Sequence, residues 1–290
     1  MKATAFVPGH VSGFFEPVYH AHDFCRTGSR GAGINLSLGV VSQVSVGEGT
    51  EQKIVVRINE KVEAAPVTCL AIQYLIGKNP LSVTVDMWHD LPVSQGFGMS
   101  AAGAFSASLA IASLLKLPRD QALVAAHYAE VQSRTGLGDV VASCFGGVEI
   151  RRKAGLPPWG VVEHIPGDAD IVLCVIGKKV ETKHVLSDPK KISEIIVLGQ
   201  RCVDQLLKKP SLEHLFELSY FFTCKSGLAD KKVLGAIQAV EPYGMASMCM
   251  LGNSVFARGM TAELMDVLSG YGEVFCCSID KEGARLINER

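Results

Sequence analysis

No residue between Leu91 and Leu115 carries a charge. A run this long and this uncharged belongs either in lipid or in the middle of a protein core. Its composition selects the core. Pro92, Gly96, Gly98 and Gly103 interrupt it, serines are scattered along it, and a lipid-spanning helix would be richer in Leu, Ile and Val throughout. The run therefore predicts a glycine-bearing loop over Pro92–Ala102 that feeds a buried Ala/Ser/Leu helix from about Ala102 to Leu115.

The chain can enclose such a helix, since 290 residues make one large domain or two medium ones. Hydrophobic residues at 48% and charged ones at 20% are ordinary for a globular protein. The formal net charge of −1 offers no broad basic field, which excludes nucleic acid and anionic membrane surfaces as default partners. The N-terminal MKATAFVPGH lacks the apolar core of a signal peptide. Nine cysteines without CxxC spacing, mostly within apolar stretches, predict a reduced, cytoplasmic protein rather than a disulfide framework or zinc site. His20 and His22 alternate, but without a third ligand nearby they read as ordinary polar residues.

Lys53–Ile58 and Ser82–Trp88 are β-branched and partly alternating, which predicts strands, and Pro66–Gly77 between them suits a short helix. Helical patterns follow at Arg119–Ser133, Lys191–Lys208, Leu212–Cys224, Asp230–Val240 and Ser254–Gly270. Strands are expected at Gly146–Arg151, Asp170–Ile176 and Glu273–Ile279. The mixture lacks regular βαβ alternation, so the class is α+β. Lys153–Gly160, with Pro157-Pro158 flanked by glycines, is the expected domain border, dividing the chain into 1–155 and 156–290.

The loop has a mechanism of its own. Gly96 and Gly98 let backbone N–H groups approach an anion, and the helix behind them aims unpaired N–H groups and its positive dipole end at the same point. Ser100 adds a hydroxyl for phosphate or Mg²⁺, while Ala101, Ala102, Gly103 and Ala104 let the helix pack closely below. Neither GxxxxGK[ST] nor GxGxxG after a strand is present.

The stretch PVSQGFGMSAA resembles the signature of the GHMP kinases, departing from it at Met99, where a serine is usual. Val7–Pro17 (VPGHVSGFFEP) resembles the family's opening motif, with His10 where Lys or Arg is usual and Glu16 six positions on. Glu130–Asp139 (EVQSRTGLGD) resembles the segment that carries the metal-binding Glu and the catalytic Asp. The C-terminal glycine motif matches poorly, with methionines in Gly244–Ser254 where glycines are common. The resemblance implies a two-domain fold, with an N-terminal ATP-binding part like ribosomal protein S5 domain 2 and a ferredoxin-like C-terminal part. It implies ATP contacts from Pro92, Ser94, Gly96, Phe97, Gly98, Met99, Ser100, Ala101 and Ala102. It implies Mg²⁺ held by Ser100 and Glu130, and catalysis by Asp139 with His10 beside it. Read without the family, Asp139 is first a cap for a helix starting near Val140.

Within the superfamily, PGHVSGFFEP, GSRGAG (Gly28–Gly33), RTGLGD and LGNSVFA (Leu251–Ala257) most resemble the archaeal pantoate kinases. These phosphorylate pantoate to 4-phosphopantoate on the route to coenzyme A. A small hydroxy acid needs a cation for its carboxylate, and arginine suits it best. Arg30 and Arg134 are the candidates, with Ser29, Thr135 and Glu16 as further substrate contacts. A homoserine- or mevalonate-type kinase, or a GHMP-fold ligand sensor without turnover, are the alternatives. Kinases of this group often form homodimers, which is the expected self-partner.

Overall fold

The computed structural model describes residues 2–178 and 189–287. Two sheets organise it. In the first, β1 (Lys2–Val18) and β2 (Gly28–Glu48) form a long antiparallel pair, from Lys2 opposite Ser45 to Val18 opposite Gly28. β2 also pairs with β5 (Leu81–His89), and β5 runs parallel to β3 (Lys53–Ile58). A parallel pair needs a crossover. Here it comprises β4 (Lys61–Val62) and α1 (Pro66–Ile76).

Against this sheet lies a layer of α1, α2 (Met99–Leu114) and α3 (Arg119–Ser133), with α2 between its neighbours and against β1 and β2. From Ala101 to Ala112 every residue of α2 is buried. The uncharged run is thus the central core helix, and among the described residues no helix is long and apolar enough to cross a membrane. The helix begins three residues earlier than expected, because Gly98 takes a left-handed conformation (φ 65°) and turns the chain into it.

The border expected at 155/156 is displaced. β6 (Val148–Lys153) and β7 (Val161–Ile165) form a hairpin of the first sheet around it, and β12 (Arg285–Ile287) returns to pair with β1. Pro157-Pro158 does end a strand, but the chain turns back into the same sheet. The second sheet starts only at β8 (Asp170–Val175).

That sheet is antiparallel in the order β11 (Glu273–Ser278), β8, β10 (Ser254–Gly259), β9 (Gly244–Met248). Numbered by chain position the order is 4-1-3-2. Between β8 and β9 come α5 (Pro189–Lys208), α6 (Leu212–Ser226) and α7 (Lys231–Val240), and α8 (Thr261–Ser269) joins β10 to β11. This is the ferredoxin-like arrangement expected. The helix expected over Ser254–Gly270 divides into β10 and α8. Val255, Phe256 and Ala257 are buried in succession, and so short an apolar run has no period to separate helix from strand.

Phe222 of α6 joins the two halves, its ring centroid 6.4 Å from Phe14 and 6.0 Å from Phe15 of β1. The ring is fully buried. Phe222→Ala is expected to cost about 3–5 kcal/mol of unfolding free energy, measured by chemical denaturation.

Candidate active site

The loop after β5 is shaped by three residues with positive φ: Ser94 (62°), Gly96 (81°) and Gly98 (65°). Gly98 precedes α2 without a side-chain cap, and the helix closes its first hydrogen bond from Ala102 N–H to the Gly98 carbonyl at 2.9 Å. The N–H groups of Met99, Ser100 and Ala101 therefore have no intrahelical partner and form an anion-binding helix end. β1 holds the loop in place, with the His10 N–H donating to the Phe97 carbonyl at 2.9 Å. Gly9 permits this approach, since a Cβ there would lie 2.8 Å from Met99 Cε. On the other side Ser254 Oγ donates to the Gln95 carbonyl, and a Cβ on Gly252 would lie 2.1 Å from that same oxygen. The C-terminal segment with methionines in place of glycines does close the site, through Met250 and Leu251.

A cleft of about 540 Å³ opens over the loop. Its lining residues fall into two groups. Ile58, Ala65, Pro66, Val67, Met87 and Val93, with Thr68 and His89, are mainly apolar, whereas Ser12, Ser29, Glu130, Arg134, Thr135 and Asp139 are polar. Ser94, Gly96, Phe97, Gly98, Met99, Ser100 and Ala101 also line it, while Pro92 and Ala102 bracket the loop without reaching the cleft.

Glu130, on α3, is buried, and its Oε1 accepts from Ser100 Oγ at 3.1 Å and Thr135 Oγ1 at 3.0 Å. Burial, and then the charge of Asp139, push its carboxyl up to about 7, and the two hydroxyl bonds pull back less strongly. Gly136 packs against it so tightly that a Cβ would lie 2.0 Å from Glu130 Oε2. Among the described residues no cluster of three or more His, Cys, Asp or Glu forms a metal cage. One carboxylate and one hydroxyl, short of positive charge and open to the cleft, are a fitting partial shell for Mg²⁺, which takes its remaining oxygens from phosphate and water.

Asp139 opens α4 (Asp139–Phe145) in its first turn, and its side chain makes no capping bond. Instead Oδ1 lies 2.8 Å from His10 Nδ1, with 30% of the side chain exposed. Burial would raise its carboxyl, but the His10 hydrogen bond and charge, and the charge of Arg151, outweigh that and hold it below the usual range. His10 is buried, and its Nε2 lies 3.0 Å from Glu149 Oε1. Burial would lower its pKa, yet the bonds to Asp139 and Glu149 and their charges raise it. Arg151 completes the cluster, bonding Glu149 Oε1 through Nη1 and Ser12 Oγ through Nη2 at 3.0 Å.

Glu149 and Arg151 are absent from the sequence-derived site. Their signal is alternation in β6, where they follow Val148 and Ile150 in turn and all four are buried, so one face of the strand buries charge. Arg30 and Glu16, by contrast, lie outside the cleft. Arg30 pairs with Glu16 at 2.7 Å and with Asp204 of α5 at 3.0 Å, and its Nε donates to the Arg152 carbonyl at 2.9 Å. These bonds tie the sheet to α5, and neither residue lines the cleft. Arg134 is the only lysine or arginine among the described lining residues.

Glu130 sets a pH dependence of stability. Between pH 4.5 and about 7 the unfolded carboxyl is ionised while the folded one keeps its proton, so this group removes stability as pH rises through that window. In denaturation without divalent cations, Glu130→Gln is expected to lose less stability than the wild type between pH 5 and pH 7.

The GHMP kinases N-terminal domain family matches residues 62–147, the segment that holds α1, the loop, α2, Glu130 and Asp139. The chain is 34% identical over 277 residues to a pantoate kinase of Methanocaldococcus jannaschii, covering 94% of this chain and 99% of that one. It is 35% identical over 265 residues to a pantoate kinase of Thermococcus kodakarensis, covering 89% and 87%. A solved structure described as a phosphotransferase related to the CoA biosynthesis pathway superposes with a TM-score of 0.90 at 30% identity, covering 99% of both chains. With the uncapped α2 amino end, the Ser100–Glu130 pair and Asp139 gathered in one cleft, the chain belongs to the pantoate kinase family of GHMP kinases.

Proposed function

We propose that this chain transfers the γ-phosphoryl group of ATP to the hydroxyl of pantoate, giving 4-phosphopantoate. The observation that carries the reading is the cleft itself, where the free N–H groups of residues 99–101 and the ionised Asp139 face one space. The family membership supports pantoate as acceptor.

Each group of residues has a part. The α2 amino end binds the nucleotide phosphates, and the apolar group around Val67 and Met87 receives the base. Ser100 and Glu130 would hold Mg²⁺, whose charge neutralises phosphate oxygens when bound. Asp139 accepts a hydrogen bond from the acceptor hydroxyl and points its oxygen at phosphorus. Held below the usual carboxylate range, Asp139 is a weak base. That suffices for a loose transition state, in which the nucleophile keeps its proton until bonding is advanced and positioning dominates. Arg134 pairs with the acceptor carboxylate, and Ser12 and Ser29 offer hydroxyls beside it.

Coupled ADP release with pantoate, homoserine and mevalonate tests the assignment. Pantoate is expected to be the preferred acceptor, and activity only on another acceptor would overturn it. Asp139→Ala should lower turnover roughly 10²–10⁴-fold with ATP affinity nearly unchanged. Arg134→Ala should raise the pantoate KM about tenfold or more, the worth of a charged hydrogen bond. Arg30→Ala should leave that KM close to wild type, because its partners are Glu16 and Asp204.

A further inference from the structure

One imidazole meets two carboxylates. His10 Nδ1 lies 2.8 Å from Asp139 Oδ1, and Nε2 lies 3.0 Å from Glu149 Oε1. A neutral imidazole has one N–H and one lone pair, so it would set that lone pair against Asp139 on one side, or on the other against Glu149 Oε1 at 3.0 Å, which is nearer than the Arg151 Nη1 donor at 3.5 Å. An imidazolium donates to both. Charge balance agrees with the hydrogen-bond count. The charged groups facing His10 are Asp139 from α4, and Glu149 and Arg151 from β6. From β2 comes Gly33, where a Cβ would lie 2.4 Å from His10 Nε2. Two anions and one guanidinium leave a buried excess of negative charge, which a proton on His10 cancels.

Glu149 is fully buried and does not line the cleft. Its Oε1 receives both Arg151 Nη1 and the His10 ring, which pins the carboxylate at the far side of the imidazole from Asp139. We propose that Glu149 is a positioning residue that locks His10 as an imidazolium, with its Nδ1–H fixed on Asp139, so that the orientation of the acceptor-binding carboxylate depends on one buried titratable ring. This rests on Asp139 acting in the reaction as assigned above. Loss of one His10 proton leaves a single N–H for two carboxylates. With that N–H held on Nε2 by the fully buried Glu149, Asp139 loses its donor and its side chain is free to turn, so turnover falls at high pH while nucleotide binding at α2 is untouched.

The test reads the ring directly. ¹⁵N NMR of the full-length protein with labelled histidine should show His10 with both nitrogens protonated at pH 7, and Glu149→Gln should move its titration down by about one pH unit or more, tenfold in proton affinity. The high-pH limb of kcat should move down with it, while KM for ATP holds. Adding His10→Lys to Glu149→Gln, which restores a cation that needs no carboxylate to stay charged, should remove the shifted limb. A wild-type His10 that is neutral at pH 7 overturns the proposal, and this reading stands even if the variant does not fold. A Glu149→Gln protein that is less stable but titrates His10 as the wild type does also overturns it, leaving Glu149 a packing role. If the ring titration moves and the kcat profile does not, the lock stands and Asp139 loses its assigned part in the reaction.

Discussion

His10 is the residue through which the two halves of the site are held in register. Its backbone N–H takes the Phe97 carbonyl of the phosphate loop, and its ring takes Asp139. The span between the loop before α2 and the Asp139 carboxylate is therefore bridged by one residue. In-line transfer tolerates little error in that distance, since misplacement of reacting atoms by an ångström is costly. The long β1–β2 pair supplies the rigidity, because a strand paired on both sides cannot shift one residue without shifting its neighbours.

Close approach explains glycines that a sequence reader takes for flexibility. In TGLGD a Cβ on Gly136 would enter Glu130, and one on Gly138 would lie 2.4 Å from Ser29 Oγ and 2.8 Å from Arg151 Nε. Neither has a positive φ. These positions are small because carboxylate, hydroxyl and guanidinium must come together there, so the loop is packed rather than loose. In the loop before α2, Gly96 and Gly98 are used for backbone conformation, and there the expectation of a glycine turn and the observed left-handed φ values agree.

Much of this was legible along the chain, and the exceptions share a cause. Local signals served well: the uncharged run marked the core helix, Arg119–Ser133 had a helical period, and the glycine loop announced its helix end. The misplaced features depend on what lies opposite in space. Arg30 was a candidate because arginine suits a carboxylate, yet it sits on β2 against Glu16 and, from far along the chain, Asp204. Glu149 and Arg151 were read only as part of the strand expected at Gly146–Arg151, and only the fold sets them against His10. Asp139, read without the family, was a cap, and the structure shows its side chain on His10 with no capping bond to its own helix.

Glu130 and Asp139 end in opposite states for one reason. Both are withdrawn from water, which favours the neutral acid. Asp139 has His10 and Arg151 to offset this and stays ionised, whereas Glu130 has only hydroxyl partners and the repulsion of Asp139, and rises to about 7. Environments that push two titratable groups apart mark a division of labour. The acceptor side carries its own compensating charge within the protein, so Asp139 is ready before any ligand arrives. The phosphate side does not. Its deficit of positive charge at Glu130 is what a nucleotide arriving with a divalent cation would fill, and the protein thereby keeps its full electrostatic arrangement for the loaded state.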